Sequence, residues 1–138
     1  MSLVELATVN DLPFLLASSS GLSPDRWRQK IAFGQVYVAC DDGLQVGWLR
    51  YGMFRDEVPF LNGIHVVESH QERGVGEALL ERWESDMRAT GADFVLTAAL
   101  QEDPSQFLYA DRGYIDCGVI LTPERGAESL FRKPLVAY

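Results

Sequence analysis

Two glycines separated by one residue, Gly74 and Gly76, lie in a polar loop that leads from a strand-like segment into a helical pattern. Because glycine carries no side chain, a ligand can approach the backbone closely at these positions. The first turn of a helix also leaves amide N–H groups without partners at the positive end of the helix dipole. Such a turn can hold a pyrophosphate, although a glycine pair in front of a helix also occurs as a plain turn.

The elements on either side of this loop follow from the spacing of apolar residues. A strand is predicted from about Pro59 to Val67, and the stretch from Asp93 to Leu100 is of the short apolar type that parallel pairing buries on both faces. Between them, a helix that ends at Gly91 is predicted from four apolar residues recurring every four positions: Val75, Leu79, Trp83 and Met87. Strand, helix and strand therefore form one crossover unit.

The segments before this unit alternate between short helices and strands. A strand is expected near residues 3–7, and Asn10 or Asp11 is expected to cap a helix with Pro13 in its first turn. A second helix is expected after an N-cap at Ser23. Residues 35–40 and 46–54 then predict an antiparallel pair joined by a turn at Asp41, Asp42 and Gly43.

Beyond the crossover unit, a helix is expected to begin at Pro104 and to stop at Gly113, followed by strands near residues 114–121 and 129–135. The fold class is therefore mixed α/β, with antiparallel strands first and a parallel pair in the middle. At 138 residues the chain has the length of one domain, residues 1–138.

Composition excludes several classes of partner and cofactor. With 12 Lys and Arg against 20 Asp and Glu, the formal charge is −8, which disfavours nucleic acid and favours a cationic substrate. No apolar run is long enough for a membrane span and the N-terminus does not resemble a signal peptide, so a cytoplasmic protein is expected. Cys40 and Cys117 show neither disulfide-framework nor metal-ligand spacing, and no metal is expected.

The segment IHVVESHQERGVGEA, residues 64–78, resembles the acetyl-CoA loop of the GNAT superfamily of N-acetyltransferases. That pattern is Gln or Arg, two residues, Gly, one residue, then Gly or Ala, and residues 71–76 match it at each defining position. Residues 107–114 look like the aromatic helix of the same family, and residues 130–135 are similar to its last strand. The resemblance implies a central, mostly antiparallel mixed sheet with a splayed parallel strand pair at the acetyl-CoA site, flanked by helices.

The resemblance also assigns residues to the cofactor. The amides from Glu72 to Glu77 would cradle the CoA pyrophosphate, and Arg73 would either add a charge near a phosphate or remain solvated. Glu72 departs from the glycine that many members carry there. The implied acetyl-CoA contacts are Ile64, Val66, Gln71, Glu72, Arg73, Gly74, Val75, Gly76 and Glu77.

Two of the implied roles are catalytic. The amide of Ile64 matches the group that polarises the thioester carbonyl, and main-chain groups at Val66 would meet the pantetheine arm. Tyr109 matches the tyrosine that protonates the departing thiolate. Its alternative is simple packing on the sheet.

The base that must remove a proton from the amine is left open. Some family members use a glutamate on the strand before the loop, but the matching residue here is Phe60. His65 is the only imidazole on a predicted strand, and it is interpreted either as a base or as a structural residue.

The resulting hypothesis is an enzyme that passes acetyl from acetyl-CoA to a primary amine of a small molecule or protein, by direct attack in a ternary complex. The alternative is a non-catalytic acyl-CoA-binding or sensing module. A general nucleotide-phosphate domain is a weaker third idea, since the GxxxxGK[ST] and GxGxxG patterns are both absent. A homodimer is compatible with the sequence, and the acceptor amine is not readable from it.

Overall fold

The computed structural model describes residues 2–19 and 21–136. Along these residues, strands and α-helices follow one another in the order β1 Ser2–Leu6, α1 Leu12–Ser18, α2 Pro24–Ala32, β2 Val36–Asp41, β3 Leu44–Phe54, β4 Val58–Val66, α3 Val75–Ala89, β5 Phe94–Leu100, α4 Ser105–Asp111, β6 Ile115–Thr122 and β7 Gly126–Pro134. The predicted strands and helices are confirmed, with boundaries that differ by a few residues at most.

The strands form a seven-stranded sheet in the order β1-β2-β3-β4-β5-β7-β6. β4 and β5 pair in parallel, whereas β1 with β2, β2 with β3, β5 with β7 and β6 with β7 pair antiparallel. The predicted class, a mostly antiparallel mixed sheet with a parallel pair and flanking helices, is therefore confirmed. The helix α3 supplies the crossover that parallel neighbours require.

The parallel register is short. It pairs Phe60 with Leu96 and Leu61 with Thr97, although β4 runs on to Val66 and β5 to Leu100. A parallel pair held together over so few residues is the arrangement expected of splayed strands.

The chain divides into two compact units. The first takes in the chain up to Tyr51 together with Gly63–Trp83, and the second takes in Gly52–Asn62 together with the chain from Glu84 onward. In the first unit, one apolar cluster joins α1 and α2 to β2 and β3 through Ala7, Leu15, Trp27, Val36, Val38 and Trp48. Trp27 meets Trp48 edge to face, with ring centroids 5.2 Å apart, an arrangement that aromatic pairs prefer.

The start of α3 packs closely against β3 in the same unit. A Cβ atom built on Gly47 would stand 2.8 Å from the His65 carbonyl oxygen, 3.2 Å from Val75 Cγ1 and 3.3 Å from Leu79 Cδ1. A side chain at position 47 would therefore push α3 and the end of β4 away from β3. The glycine sets how closely these three elements approach.

The second unit encloses an ion pair. Glu84, which is 3% exposed, accepts a hydrogen bond from the Tyr114 hydroxyl at 2.8 Å and another from Lys133 Nζ at 2.7 Å. Both carboxylate oxygens thus have partners, as a buried charge requires. Burial, with Glu84 adding to it, raises the pKa of Tyr114, so the phenol stays a donor to the carboxylate.

The helix ends follow the predicted chemistry with one correction. Ser23 Oγ accepts from the Arg26 amide at the start of α2, as expected, and Gly91 after α3 has a φ of +94°. Neither Asn10 nor Asp11, however, caps α1 through its side chain. A 3₁₀ turn, Val9–Asp11, precedes that helix, and Thr8 caps this turn in a capping box with Asp11.

The described cysteines Cys40 and Cys117 are both free thiols. No helix in the described part of the chain is long and apolar enough to cross a membrane.

Replacing Gly47 by Ala should lower the free energy of unfolding by about 1–3 kcal/mol, because overpacking at a rigid backbone neighbour costs that much. Urea denaturation followed by circular dichroism measures the change. Leu44→Ala on the same strand is the control, since Leu44 is 67% exposed and its loss should change stability by no more than about 0.5 kcal/mol. Equal stability of Gly47→Ala and the wild type would contradict the close packing of α3 on β3.

Candidate functional site

The loop between β4 and α3 is braced against the strand that precedes it. The Gln71 side chain donates from Nε2 to the Val66 carbonyl at 3.1 Å, and the His70 amide donates to the Val67 carbonyl at 2.9 Å. At the strand end, the Val67 amide donates to the Val46 carbonyl of β3 at 2.9 Å. Gln71 therefore acts on the loop's shape, a role that differs from direct contact with a ligand.

Two residues of this loop have left-handed backbone conformations. Gly74 has a φ of +85° and Glu72 a φ of +62°. Glycine adopts this region freely, whereas a residue with a Cβ pays about 1–2 kcal/mol there. The loop thus keeps a glycine-type conformation at Glu72, the position where the sequence departs from the pattern it resembles.

The N-terminus of α3 directs amides toward this loop. The helix begins at Val75, and the Ala78 amide donates to the Gly74 carbonyl at 3.0 Å. The amides of Val75, Gly76 and Glu77 come before the first in-helix donor, so they are available to an anion. The residues Gln71–Gly74 are exposed, which leaves this surface open to a phosphate group.

Charged side chains flank the same turn. The Glu77 carboxylate lies over the loop, with Oε2 3.9 Å from the position that a Cβ on Gly74 would occupy, and Arg73 is exposed beside it. A bound pyrophosphate would repel the Glu77 carboxylate and attract the Arg73 side chain. Neither side chain is locked in the fold, so both can adjust.

The first unit therefore brings together most of the predicted cofactor contacts. Ile64 and Val66 are half-buried at the end of β4, and the loop from Gln71 to Gly76 is held to that strand end by the Gln71 side chain. The predicted contacts on β4 and those at the start of α3 are therefore held together within the first unit.

Tyr109 belongs to the second unit, where it is 3% exposed. Its ring contacts those of Tyr114 and Phe131, with centroids 5.4 and 6.1 Å apart, and its carbonyl accepts the Tyr114 amide at 3.0 Å. Burial raises the pKa of Tyr109, while hydrogen bonds of its phenol with the Thr97 and Ser105 side chains act in the opposite direction. The phenol is therefore protonated at neutral pH.

Thr97 is a residue of this site that the sequence did not reveal. It is 1% exposed, and its hydroxyl donates to the Leu61 carbonyl at 3.2 Å. Because Leu61 and Thr97 form the last pair of the parallel register, this hydrogen bond fixes Thr97 near the Tyr109 phenol at the point where that pairing ends. A threonine within a β-branched, apolar strand gives no local signal of such a role.

Five aromatic residues in or next to α2, β2 and β3 divide into two groups by exposure. Phe33 is 66% exposed, so it does not belong to the core. The others are buried: Trp27, Tyr37, Trp48 and Tyr51. Among the described residues, no group of three or more His, Cys, Asp or Glu side chains is arranged to hold a metal ion.

Comparison with known proteins identifies the architecture. A family profile described as "Acetyltransferase (GNAT) family" matches residues 6–114. The chain belongs to the GNAT family of acetyltransferases. Because this chain belongs to the GNAT family, acyl transfer is its class of activity. The search of curated protein sequences gives no significant match.

Solved GNAT structures share the fold at low sequence identity. The ribosomal-protein-S18-alanine N-acetyltransferase from Escherichia coli is 17% identical, with a TM-score of 0.78 over 100% of this chain and 96% of that one. Ard1 from Thermoplasma volcanium is 12% identical, with a TM-score of 0.88 and 99% of both chains covered. An N-acetylglutamate synthase from Neisseria gonorrhoeae, solved with coenzyme A and N-acetyl-glutamate, is 16% identical with a TM-score of 0.83, over 99% of this chain and 36% of that one.

The conformation of Glu72 leads to a test of the loop. Glu72→Gly should match or exceed the wild type in free energy of unfolding, by up to about 1 kcal/mol, because glycine removes the left-handed strain but gains freedom in the unfolded chain. Glu72→Val should be destabilised by about 1 kcal/mol or more, since β-branched residues fit this region poorly. Chemical denaturation provides both values.

The same two substitutions at Glu81, an exposed residue within α3, are the matched controls. There the order should reverse, with Val tolerated better than Gly, because glycine has the lower helix propensity. The same order of Gly and Val at both positions would contradict a strained conformation at Glu72.

Proposed function

We propose that this protein is an N-acetyltransferase that passes the acetyl group of acetyl-CoA to a primary amine, of a small molecule or a protein, by direct attack in a ternary complex. The observation that carries the proposal is the loop that ends at Gly74, with Glu72 and Gly74 both at positive φ, followed at once by α3, whose second residue is Gly76. This geometry suits a pyrophosphate. Support also comes from a structural neighbour that was solved with coenzyme A.

The amides from Glu72 to Glu77 would hold the pyrophosphate, with Arg73 adding a positive charge beside it. Acetyl-CoA, once bound, supplies the acetyl group as a thioester. The Val66 main chain would meet the pantetheine arm; its carbonyl accepts one hydrogen bond from Gln71 and retains a second lone pair.

The Ile64 amide is the proposed donor to the thioester carbonyl oxygen. A backbone N–H on a strand is fixed in direction before the reaction begins, so it needs no reorganisation as negative charge develops on that oxygen. Removing one such donor from an enzyme typically costs a few kcal/mol of transition-state stabilisation.

Tyr109 is the proposed acid that protonates the departing thiolate. Its raised pKa keeps the phenol protonated at neutral pH, and the Ser105 side chain acts in the opposite direction, toward the phenolate that proton transfer leaves behind. A buried phenol with this support favours an active enzyme over a module that only binds acyl-CoA. The neighbours include an enzyme that acetylates an alanine of ribosomal protein S18, which supports an amine acceptor.

Isothermal titration of acetyl-CoA into the purified protein tests the binding site. One-to-one saturable binding is expected, and Gly74→Trp should weaken it at least about tenfold, or 1.4 kcal/mol, because the indole would cover the exposed amides. Gly91→Trp is the matched control: it places the same side chain on another exposed glycine of positive φ, at the far end of α3, and should bind normally.

Absence of acetyl-CoA binding to the folded wild type would overturn the proposal. Displacement of the ligand by ATP or NAD, without an effect of CoA, would instead support a general nucleotide-phosphate site. Binding without turnover on a broad panel of primary amines would favour the binding module.

Replacing Tyr109 by Phe should lower kcat about 100-fold or more with the best amine of that panel, the usual contribution of a positioned acid. The KM for acetyl-CoA should change little, because the phenol acts on the leaving sulfur. Steady-state kinetics separate the two constants, and circular dichroism checks the fold. Ser105→Ala, which keeps the phenol and removes one of its partners, should lose far less. Full kcat in Tyr109→Phe would exclude the phenol as the acid.

A further inference from the structure

A pocket of about 590 Å³ lies in the first unit, where the C-terminal end of α1 faces the end of β4. Ser18 and Ser19 line it from the α1 side, His65 from β4, and Glu68 and Gln71 from the loop that follows. We call it the α1 pocket. The amides of residues 72–77, which face the proposed phosphate site, are not among the residues that line this pocket.

His65 is held in this pocket by a fixed aromatic support. Its ring stacks on the Trp48 indole, with centroids 5.8 Å apart and planes at 29°. The indole Nε1 donates to Ser18 Oγ at 3.0 Å, and the Ser18 hydroxyl donates to the Phe14 carbonyl at 2.7 Å. The proton of the Ser18 hydroxyl is thus committed to α1, and Trp48 is held from that side.

The two histidines of the chain differ in what their ring nitrogens contact. His70 Nδ1 lies 2.8 Å from Ser69 Oγ, and His70 Nε2 lies 3.2 Å from Asp41 Oδ2. For His65, no hydrogen-bond partner of either ring nitrogen occurs within residues 2–19 and 21–136. The His65 imidazole is therefore available to a ligand in the α1 pocket.

The surroundings of His65 keep the ring neutral. Burial lowers its pKa below the ordinary value for histidine, so the free lone pair of a base is present at neutral pH. Two charged groups belong to these surroundings: Arg50 of β3, whose guanidinium lies 5.4 Å from the centre of the same indole, and Glu68, which lines the pocket. The rest of the lining is uncharged: Ala17, Ser18, Ser19, Val66, Val67 and Gln71.

Position along the strand links His65 to the chemistry. It directly follows Ile64, whose amide is the proposed donor to the thioester carbonyl, and neighbouring Cα atoms are about 3.8 Å apart. An amine in the α1 pocket would therefore approach the acetyl group from beside this ring. The exposed carboxylate of Glu68 would attract the amine in its cationic form.

We propose that His65 is the general base for an ammonium acceptor bound in the α1 pocket. The inference rests on the proposed function. The imidazole lone pair takes one proton from R–NH₃⁺, and the freed amine lone pair forms the C–N bond as the C–S bond breaks. The thiolate takes the Tyr109 proton, the second amine proton returns to the phenolate, and His65 releases its proton to solvent, so one proton is produced in each turnover.

The test compares His65→Gln with His70→Gln, using the panel amine that the wild type acetylates fastest, from pH 5 to pH 9. At pH 7, His65→Gln should lose about 100-fold or more in kcat, with an unchanged acetyl-CoA Kd by titration. The deficit should shrink as pH rises, because a growing fraction of the amine arrives already deprotonated. His70→Gln should follow the wild-type profile.

A second variant separates chemistry from packing. His65→Ala should be rescued by added imidazole, in proportion to the concentration of its neutral form. Wild-type kcat in His65→Gln, or an equal loss at every pH without imidazole rescue, would overturn the assignment of the base while leaving the proposed function intact. Failure of the wild type to bind acetyl-CoA or to acetylate any amine would instead remove the proposed function, and this inference with it.

Discussion

At Gly47 the backbone of β3 lies so close to the end of β4 that an added Cβ would stand 2.8 Å from the His65 carbonyl oxygen. Val75 and Leu79, two buried residues in the first turns of α3, pack over the same spot. The place where β4 ends and α3 begins is therefore set by contact with a position that has no side chain. The loop that joins them inherits its geometry from this contact, because both of its ends are fixed.

In the second unit, Tyr109 packs against a ring that is held by a buried ion pair. Tyr109 packs against Tyr114, and the Tyr114 hydroxyl is held by Glu84, which Lys133 neutralises. A buried ion pair contributes little net stability compared with apolar packing, but leaving one partner alone costs several kcal/mol. Such a pair therefore tolerates few alternative packings of the surrounding rings, and it restricts the orientation of the Tyr109 ring.

The sequence was sufficient to predict an element where the residues that determine it lie within a single segment. The four-residue period of Val75, Leu79, Trp83 and Met87 predicted α3, and all four are buried. Of the predicted glycine pair, Gly74 lies in the exposed turn before that helix, whereas Gly76 is buried in the first turn of the helix itself. At the start of α1, Asp11 occupies the N-cap position, as one of the two predicted candidates, but its side chain bonds to Thr8 in the capping box of the preceding 3₁₀ turn and makes no cap bond to the helix.

Interactions between distant segments could not be predicted in this way. The hydroxyl of Thr97 finds its acceptor at Leu61, 36 residues earlier in the chain, and Ser18 meets Trp48 across 30 residues. In the sequence, Thr97 has the β-branched shape of a strand residue, and Ser18 belongs to a serine run that ends a helix. Only the folded sheet shows that Thr97 lies near the Tyr109 phenol and that Ser18 holds the indole on which the His65 ring stacks.

The left-handed conformation of Glu72 costs free energy, and the side chain also limits how many backbone conformations the free loop adopts. A glycine there would visit many backbone conformations, whereas a residue with a Cβ visits fewer. The loop between β4 and α3 therefore has less conformational entropy to lose when an anion orders it. Under the proposed function, this strain is present before the pyrophosphate binds, so that part of the ordering cost of association is met when the chain folds.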